Sequence, residues 1–124
     1  VEITRNGSVG SAETFLHLVD RVGSSALKAC IDAANFCPDR TPLVRAVRRL
    51  APYTFIAHGK DCFFKDNGEP DTYGPTGSGR LDYNTYIQSL LEFVPDVPYF
   101  VLEYYKSRED LLRAHDIVRT AMAS

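Results

Sequence analysis

No apolar stretch in this chain approaches the ~20 residues of a membrane-spanning helix. Its opening, Val1-Glu2-Ile3-Thr4-Arg5, lacks the apolar core of a signal peptide. A basic excess is also missing: 14 Lys and Arg stand against 16 Asp and Glu, a formal net charge of -2. That balance argues against a nucleic-acid surface. Cysteine is scarce and odd in number. Cys30, Cys37 and Cys62 show neither Cys-x-x-Cys spacing nor a paired His motif, so a zinc ribbon or disulfide framework has little support. They read as reduced thiols and small buried hydrophobes, with Cys30 on the strand face of Asp32 and Cys62 near His58. The apolar share of 44% and charged share of 24% are those of an ordinary globular domain. A soluble, cytoplasmic protein is expected. The chain starts on Val1 rather than an initiator Met and opens on a strand-like run, so its true N-terminus is expected upstream.

Four potential metal ligands each close a short apolar run. Glu2 ends Val1-Glu2-Ile3, Asp32 ends the run from Ala26, His58 ends Tyr53-Thr54-Phe55-Ile56-Ala57-His58, and Glu103 ends the run from Tyr99. Each run leads through a turn into a helix-like segment, the pattern by which parallel strands bring their carboxyl ends to one metal-centred site.

The helices are well punctuated. Ser11 caps a stripe of Phe15, Leu16, Val19 and Val22 that Gly23 ends. Thr41-Pro42 supplies an N-cap and first-turn proline for Leu43, Val44, Val47 and Leu50, with Arg45, Arg48 and Arg49 on the solvated side. A long loop runs from Gly59 to Leu81, within which Asp66 to Asp71 read as a solvent-facing excursion. Asp82 then caps a helix carrying Tyr83, Tyr86, Ile87, Leu90 and Leu91. Ser107-x-x-Asp110 opens the last helix as a capping-box variant, along which Leu111, Leu112, His115, Ile117 and Val118 recur. His17 and His115 fall in helical patterns as surface residues. Alternation of strand and helix at this spacing implies parallel βαβ units. There are only four, in 124 residues, whereas a closed (β/α)8 barrel needs roughly 250.

Four segments carry a resemblance. Ala29-Cys30-Ile31-Asp32, Ile56-Ala57-His58-Gly59-Lys60-Asp61, Gly77-Ser78-Gly79-Arg80-Leu81-Asp82-Tyr83 and Val101-Leu102-Glu103-Tyr104 resemble, in order and spacing, the C-terminal half of the xylose-isomerase-like TIM barrels. That superfamily includes sugar phosphate isomerases and epimerases and endonuclease IV-like proteins. The resemblance covers residues 1–124 as a single α/β segment, barrel strands five to eight as four parallel βα units, without the N-terminal half. It implies that Glu2, Asp32, His58 and Glu103 bind a divalent metal. Three carboxylates and an imidazole suit Mn²⁺ best, with Mg²⁺, Co²⁺ or Zn²⁺ possible.

The expected activity is isomerisation or epimerisation of a sugar or sugar phosphate through an enediolate, with Glu2 and Glu103 as the proton-transferring pair. A dehydratase would use the same four ligands. Endonuclease IV-like chemistry needs further histidines, including one three residues after the Asp ligand, where this chain has Asn35. Asn35 is expected either to contact a substrate hydroxyl or to be a simple loop residue. In the His-x-Lys-Asp stretch, Lys60 is expected to meet a substrate oxygen and Asp61 to orient the site from behind. Gly74 to Arg80 offers backbone donors and the Arg80 guanidinium to an anionic ligand, or is a plain flexible loop; lacking Gly-Lys-Ser/Thr, it is not a P-loop. The remaining expectations are a partner half-barrel or self-association, and alternatively a non-catalytic half-barrel subunit that works only with a partner.

Overall fold

In the computed structural model of the protein, which describes residues 1–36 and 42–124, short apolar runs form strands and the amphipathic stretches between them form helices. In chain order these are α1 (Ala12–Val22), β1 (Ala29–Asp32), α2 (Leu43–Leu50), β2 (Thr54–Gly59), β3 (Asp61–Phe64), β4 (Pro70–Gly74), α3 (Tyr83–Phe93), β5 (Phe100–Leu102) and α4 (Arg108–Met122). β1, β2 and β5 make one parallel sheet in that order. Asp32 lies opposite His58, and His58 opposite Val101. The Val1–Ile3 run adds a fourth parallel position, but only as a single bridge of Glu2 to Cys30. Three backbone bonds hold it, from Cys30 N–H to Val1 O at 2.7 Å, from Ile3 N–H to Cys30 O at 3.2 Å and from the Val1 amino group to Lys28 O at 2.8 Å.

The caps form where hydroxyl and carboxylate side chains precede the apolar stripes. Ser11 Oγ accepts from Thr14 N–H, and Gly23 closes α1 at a left-handed φ of 63°. Asp82 accepts from Thr85 N–H at the start of α3. Ser107 Oγ accepts from Asp110 N–H at 3.0 Å, while the Asp110 carboxylate reaches back to Lys106 N–H at 3.1 Å, one residue earlier than the reciprocal bond of a capping box. Thr41 and Cys37 lie outside the described residues. Pro42 stands at the N-cap position of α2 rather than in its first turn. The arginine face is not simply solvated, since Arg49 pairs with Glu13 and Arg48 sits over the Phe93 ring at 5.9 Å.

Phe15, Ile31, Val47, Leu50 and Tyr86 fill the layer between sheet and helices. Tyr86 is wholly buried, and its hydroxyl donates its one hydrogen to the His58 carbonyl (2.9 Å), with the Ile31 carbonyl 3.3 Å away as the alternative acceptor, which seats α3 against β1 and β2. The stripe residues Val22, Val44, Leu91 and Leu112 remain exposed.

One expectation is corrected here. The segment expected as a long loop from Gly59 to Leu81 contains an antiparallel hairpin of β3 and β4, with Asp61 opposite Gly74 and Cys62 opposite Tyr73. Lys65 N–H bonds to Glu69 O across its turn, where Gly68 takes a φ of 84°. Asp66 to Glu69 form that turn, and Pro70 and Asp71 already belong to β4. Neither strand alternates polar and apolar residues, so nothing in the local pattern marked them.

Candidate metal centre

Register brings the acidic strand ends together. Glu2 stands opposite Cys30, two residues before Asp32, and Glu103 lies two residues beyond Val101, the partner of His58. The side chains thus climb four register positions over three strand-to-strand steps, near the roughly one residue per strand of an eight-stranded barrel with shear eight. Glu2, His58 and Glu103 each present one donor atom, all within 4.8 Å of one another. His58 Nδ1 lies 3.3 Å from Glu103 Oε1 and 3.8 Å from Glu2 Oε1. Donors on one ion at roughly 2.1 Å stand roughly 3 to 4.2 Å apart, which matches the two His58 distances. His58 Nδ1 is also buried with no hydrogen-bond partner, so its lone pair is available to a cation. The donor set and this orphaned nitrogen fit a divalent metal.

Asp32, the fourth expected ligand, is placed differently. It is wholly buried at the end of β1, where Oδ1 accepts from Ala34 N–H at 2.9 Å. Oδ2 has no hydrogen-bond partner and faces the Lys60 ammonium at 3.4 Å. Burial raises its pKa to about 7, against the opposing pull of Lys60. Lys60, itself buried, also lies 3.5 Å from Glu103 Oε2. Desolvation would lower its pKa, but the carboxylates of Asp32, Glu103 and Glu2 outweigh that and raise it, so the ammonium stays charged. Asp32 is therefore an ion-pair partner of Lys60 at the rim of the three-donor cluster. Cys30 lies on the same side, its thiol pushed up to about 11 by burial and by Glu2, Asp32 and Glu103, and so protonated.

The other expected site residues separate into two groups. Asn35 lines the pocket beside the donors, yet its side-chain amide donates to Ile3 O at 2.9 Å and fixes the first strand segment. Asp61 is wholly buried and accepts three backbone N–H groups, from Cys62, Gly77 and Leu81, each at 2.9 Å. It holds the loop after β4 in place. Ser78 N–H goes to Pro75 O and Arg80 N–H to Cys62 O, so four backbone donors between Gly77 and Leu81 are taken within the protein. The Arg80 side chain is exposed and does not line the pocket.

Tyr83 links this loop to the site: its hydroxyl donates to Lys60 O at 2.6 Å and accepts from Thr76 Oγ1 at 2.8 Å. Burial pushes its pKa well up and keeps it a donor. Gly59 leaves room for the Phe100 ring, which a Cβ there would meet at 2.5 Å, and for the Tyr83 hydroxyl, which it would meet at 3.1 Å.

A family model described as Xylose isomerase-like TIM barrel matches residues 1–123. The chain belongs to the xylose isomerase-like TIM barrel family. No curated protein matches the sequence. Among solved structures, a xylose isomerase domain protein from Planctomyces limnophilus superposes with a TM-score of 0.75 at 20% identity, covering 97% of this chain and 43% of its own. A xylose isomerase-like TIM barrel protein from Mycobacterium smegmatis, solved in complex with magnesium, gives 0.69 at 19% identity, covering 98% and 44%. The probable 3-DHS dehydratase AsbF from Bacillus anthracis gives 0.65 at 20%, covering 99% and 47%. The chain thus spans less than half the length of these xylose isomerase-like structures. Its open edges agree with that: among the described residues, the outer sides of β5 and of the Glu2 segment carry no strand partner. No helix among the described residues is long and apolar enough to cross a membrane.

Five residues lining this pocket were not expected as site residues, Thr4 and Asn6 among them. Arg5, Tyr73 and Tyr104 line the pocket above Glu2 and Glu103. Arg5 and Tyr104 follow ligand-type residues closely at strand ends, a usable signal. Tyr73 carries none, because only the hairpin brings it there.

Proposed function

We propose that the barrel containing this chain is a divalent-metal-dependent isomerase or epimerase of a sugar or sugar phosphate, acting by proton transfer through an enediolate. The observation that carries the reading is the convergence of Glu2, His58 and Glu103 donors within 4.8 Å at the strand ends. These three residues would hold the metal, with Asp32 able to join them from its place beside Lys60. Mn²⁺ suits the oxygen-rich set best, and Mg²⁺, Co²⁺ and Zn²⁺ are accommodated. When bound, such an ion polarises a carbonyl oxygen and steadies the negative charge that develops on it.

The chain's own residues supply the rest. Glu2 and Glu103 line the pocket, and the second carboxylate oxygen of Glu103 lies 3.5 Å from the Lys60 ammonium. One removes the proton from the carbon beside the carbonyl, and the other returns a proton to complete the isomerisation or epimerisation. Lys60, fixed between Asp32 and Glu103, presents its ammonium to a substrate oxygen. The chain covers 43–47% of the matched structures, so the remaining strands, those of the missing N-terminal half-barrel or of a second copy, would close the pocket.

The test combines metal content with solvent exchange. The complete barrel should hold close to one Mn²⁺ per site, and Glu103→Gln should slow exchange of the substrate hydrogen into deuterated solvent by about 10² or more. A folded sample that takes up no divalent metal after supplementation would refute the site. A metal-loaded one that exchanges no hydrogen from any ketose, aldose or phosphate offered would refute the reaction.

A further inference from the structure

The pocket of about 270 Å³ above the donor cluster has both acidic and basic lining residues. Glu2 and Glu103 supply its acidic groups, with the Lys60 ammonium 3.5 Å from Glu103 Oε2. Arg5, Lys60, Tyr73 and Tyr104 line it as well. The Lys60 ammonium lies 4.8 Å from the centre of the Tyr73 ring and 5.5 Å from that of Tyr104, and the two rings meet edge to face at 5.7 Å. Tyr104 adopts a φ of 61°, the one non-glycine residue in the left-handed region among those described. Strained backbone of this kind persists where the surroundings fix it, and it clusters at ligand clamps. Here it sets the ring against Tyr73 immediately after Glu103.

Charge decides what this pocket accepts. The Lys60 ammonium is paired with the Asp32 and Glu103 carboxylates. Arg5 is left over. No carboxylate among the described residues lies within ion-pair distance of it, although Arg49, Lys60 and Lys65 all have one. Arg5 and Lys60 both act electrostatically on the Tyr73 hydroxyl, whose pKa burial nonetheless raises, so it remains a donor. The pocket therefore carries a free guanidinium, an ammonium and a phenolic O–H around one opening. In the glycine-rich loop from Gly74 to Arg80, by contrast, the backbone N–H groups of Gly77, Ser78 and Arg80 are bound to Asp61, Pro75 and Cys62.

We propose that Arg5, with Lys60 and the Tyr73 hydroxyl, forms an oxyanion subsite in this pocket that takes a carboxylate or phosphate group of the substrate, beside the metal-binding carboxylates. This rests on the metal-centred reading above and narrows its substrate class to anionic sugars and related acids. A guanidinium beside a hydroxyl donor suits the planar or tetrahedral oxygens of either group. Arg5 is exposed, so its replacement leaves the fold intact.

The experiment titrates inorganic phosphate and, separately, glycolate into the Mn²⁺-loaded complete barrel by calorimetry, with Mn²⁺ affinity measured on the same samples by electron paramagnetic resonance. At least one anion should bind. Arg5→Ala should weaken that binding by about tenfold or more, as loss of a charge-assisted hydrogen bond implies, and Arg5→Lys should restore part of it. Mn²⁺ affinity should stay within about threefold, since Arg5 is not a ligand. Binding of phosphate alone assigns a phosphorylated substrate; binding of glycolate alone assigns a carboxylate. Equal anion affinity in wild type and Arg5→Ala, or no binding of either anion, would overturn the subsite while leaving the metal centre standing. A sample that holds no Mn²⁺ but in which Arg5→Ala still weakens anion binding would keep the subsite and remove the metal centre.

Discussion

Replacing Asp61 by Asn tests the residue on which the loop beside the site depends. The carboxylate accepts Cys62 N–H and Leu81 N–H on Oδ1 and Gly77 N–H on Oδ2, all at 2.9 Å. The amide of Asp61→Asn would keep the volume and could preserve the two bonds to its single carbonyl oxygen. Its nitrogen would then confront the Gly77 N–H, donor against donor. A hydrogen bond to a charged acceptor contributes about 1.5–3 kcal/mol, and an N–H left without an acceptor costs about 1–3 kcal/mol. Gly77 is exposed, so water relieves part of the second cost, and removing a buried charge offsets a little more. The net expectation is a loss of about 2–4 kcal/mol, a large fraction of the ~5–15 kcal/mol typical of a domain. Urea denaturation of the complete protein reads this as a lower midpoint at unchanged slope. The loss should extend to the site, because the loop carries Thr76, which bonds Tyr83, which bonds the Lys60 carbonyl. A midpoint shift worth less than about 0.5 kcal/mol, the scale of ordinary surface substitutions, would refute the account of Asp61 as the loop's anchor.

Two further outcomes are expected. The folded-state pKa of Asp32, raised to about 7 by burial, lies above the unfolded value of about 3.9, so the folded chain binds the extra proton between them. Its stabilising effect is fully present below the unfolded pKa and is lost as pH rises through about 7. Metal-free protein should therefore be more stable at about pH 5.5 than at about pH 7.5, and Asp32→Asn should flatten that difference; an unchanged profile in the variant would contradict it. Gly79→Ala should destabilise by about 2 kcal/mol or more in the same assay: its Cβ would sit 2.4 Å from Cys62 O and 2.5 Å from Asp61 Oδ1, both fixed. A neutral substitution there would mean that the loop packs less tightly around Asp61 than described.

The sequence by itself determined the alternation of strand and helix, the caps at Ser11, Asp82 and Ser107, and the family, because each depends on residues near one another in the chain. A hydroxyl or carboxylate ahead of an apolar stripe acts on the nearest free N–H groups whatever the remote contacts. Ligand-type residues at strand ends were legible for the same reason. Only the tertiary structure decided which of them meet. The stagger of parallel strands joins Glu2, His58 and Glu103, while packing turns buried Asp32 to Lys60. The hairpin, a pairing of Asp61–Phe64 with Pro70–Gly74, brings Tyr73 over Lys60. For Asp61 and Asn35 the sequence displays only charge and amide chemistry, not what they bind. Their partners, three loop N–H groups and the Ile3 carbonyl, are backbone atoms whose positions depend on how the whole chain packs.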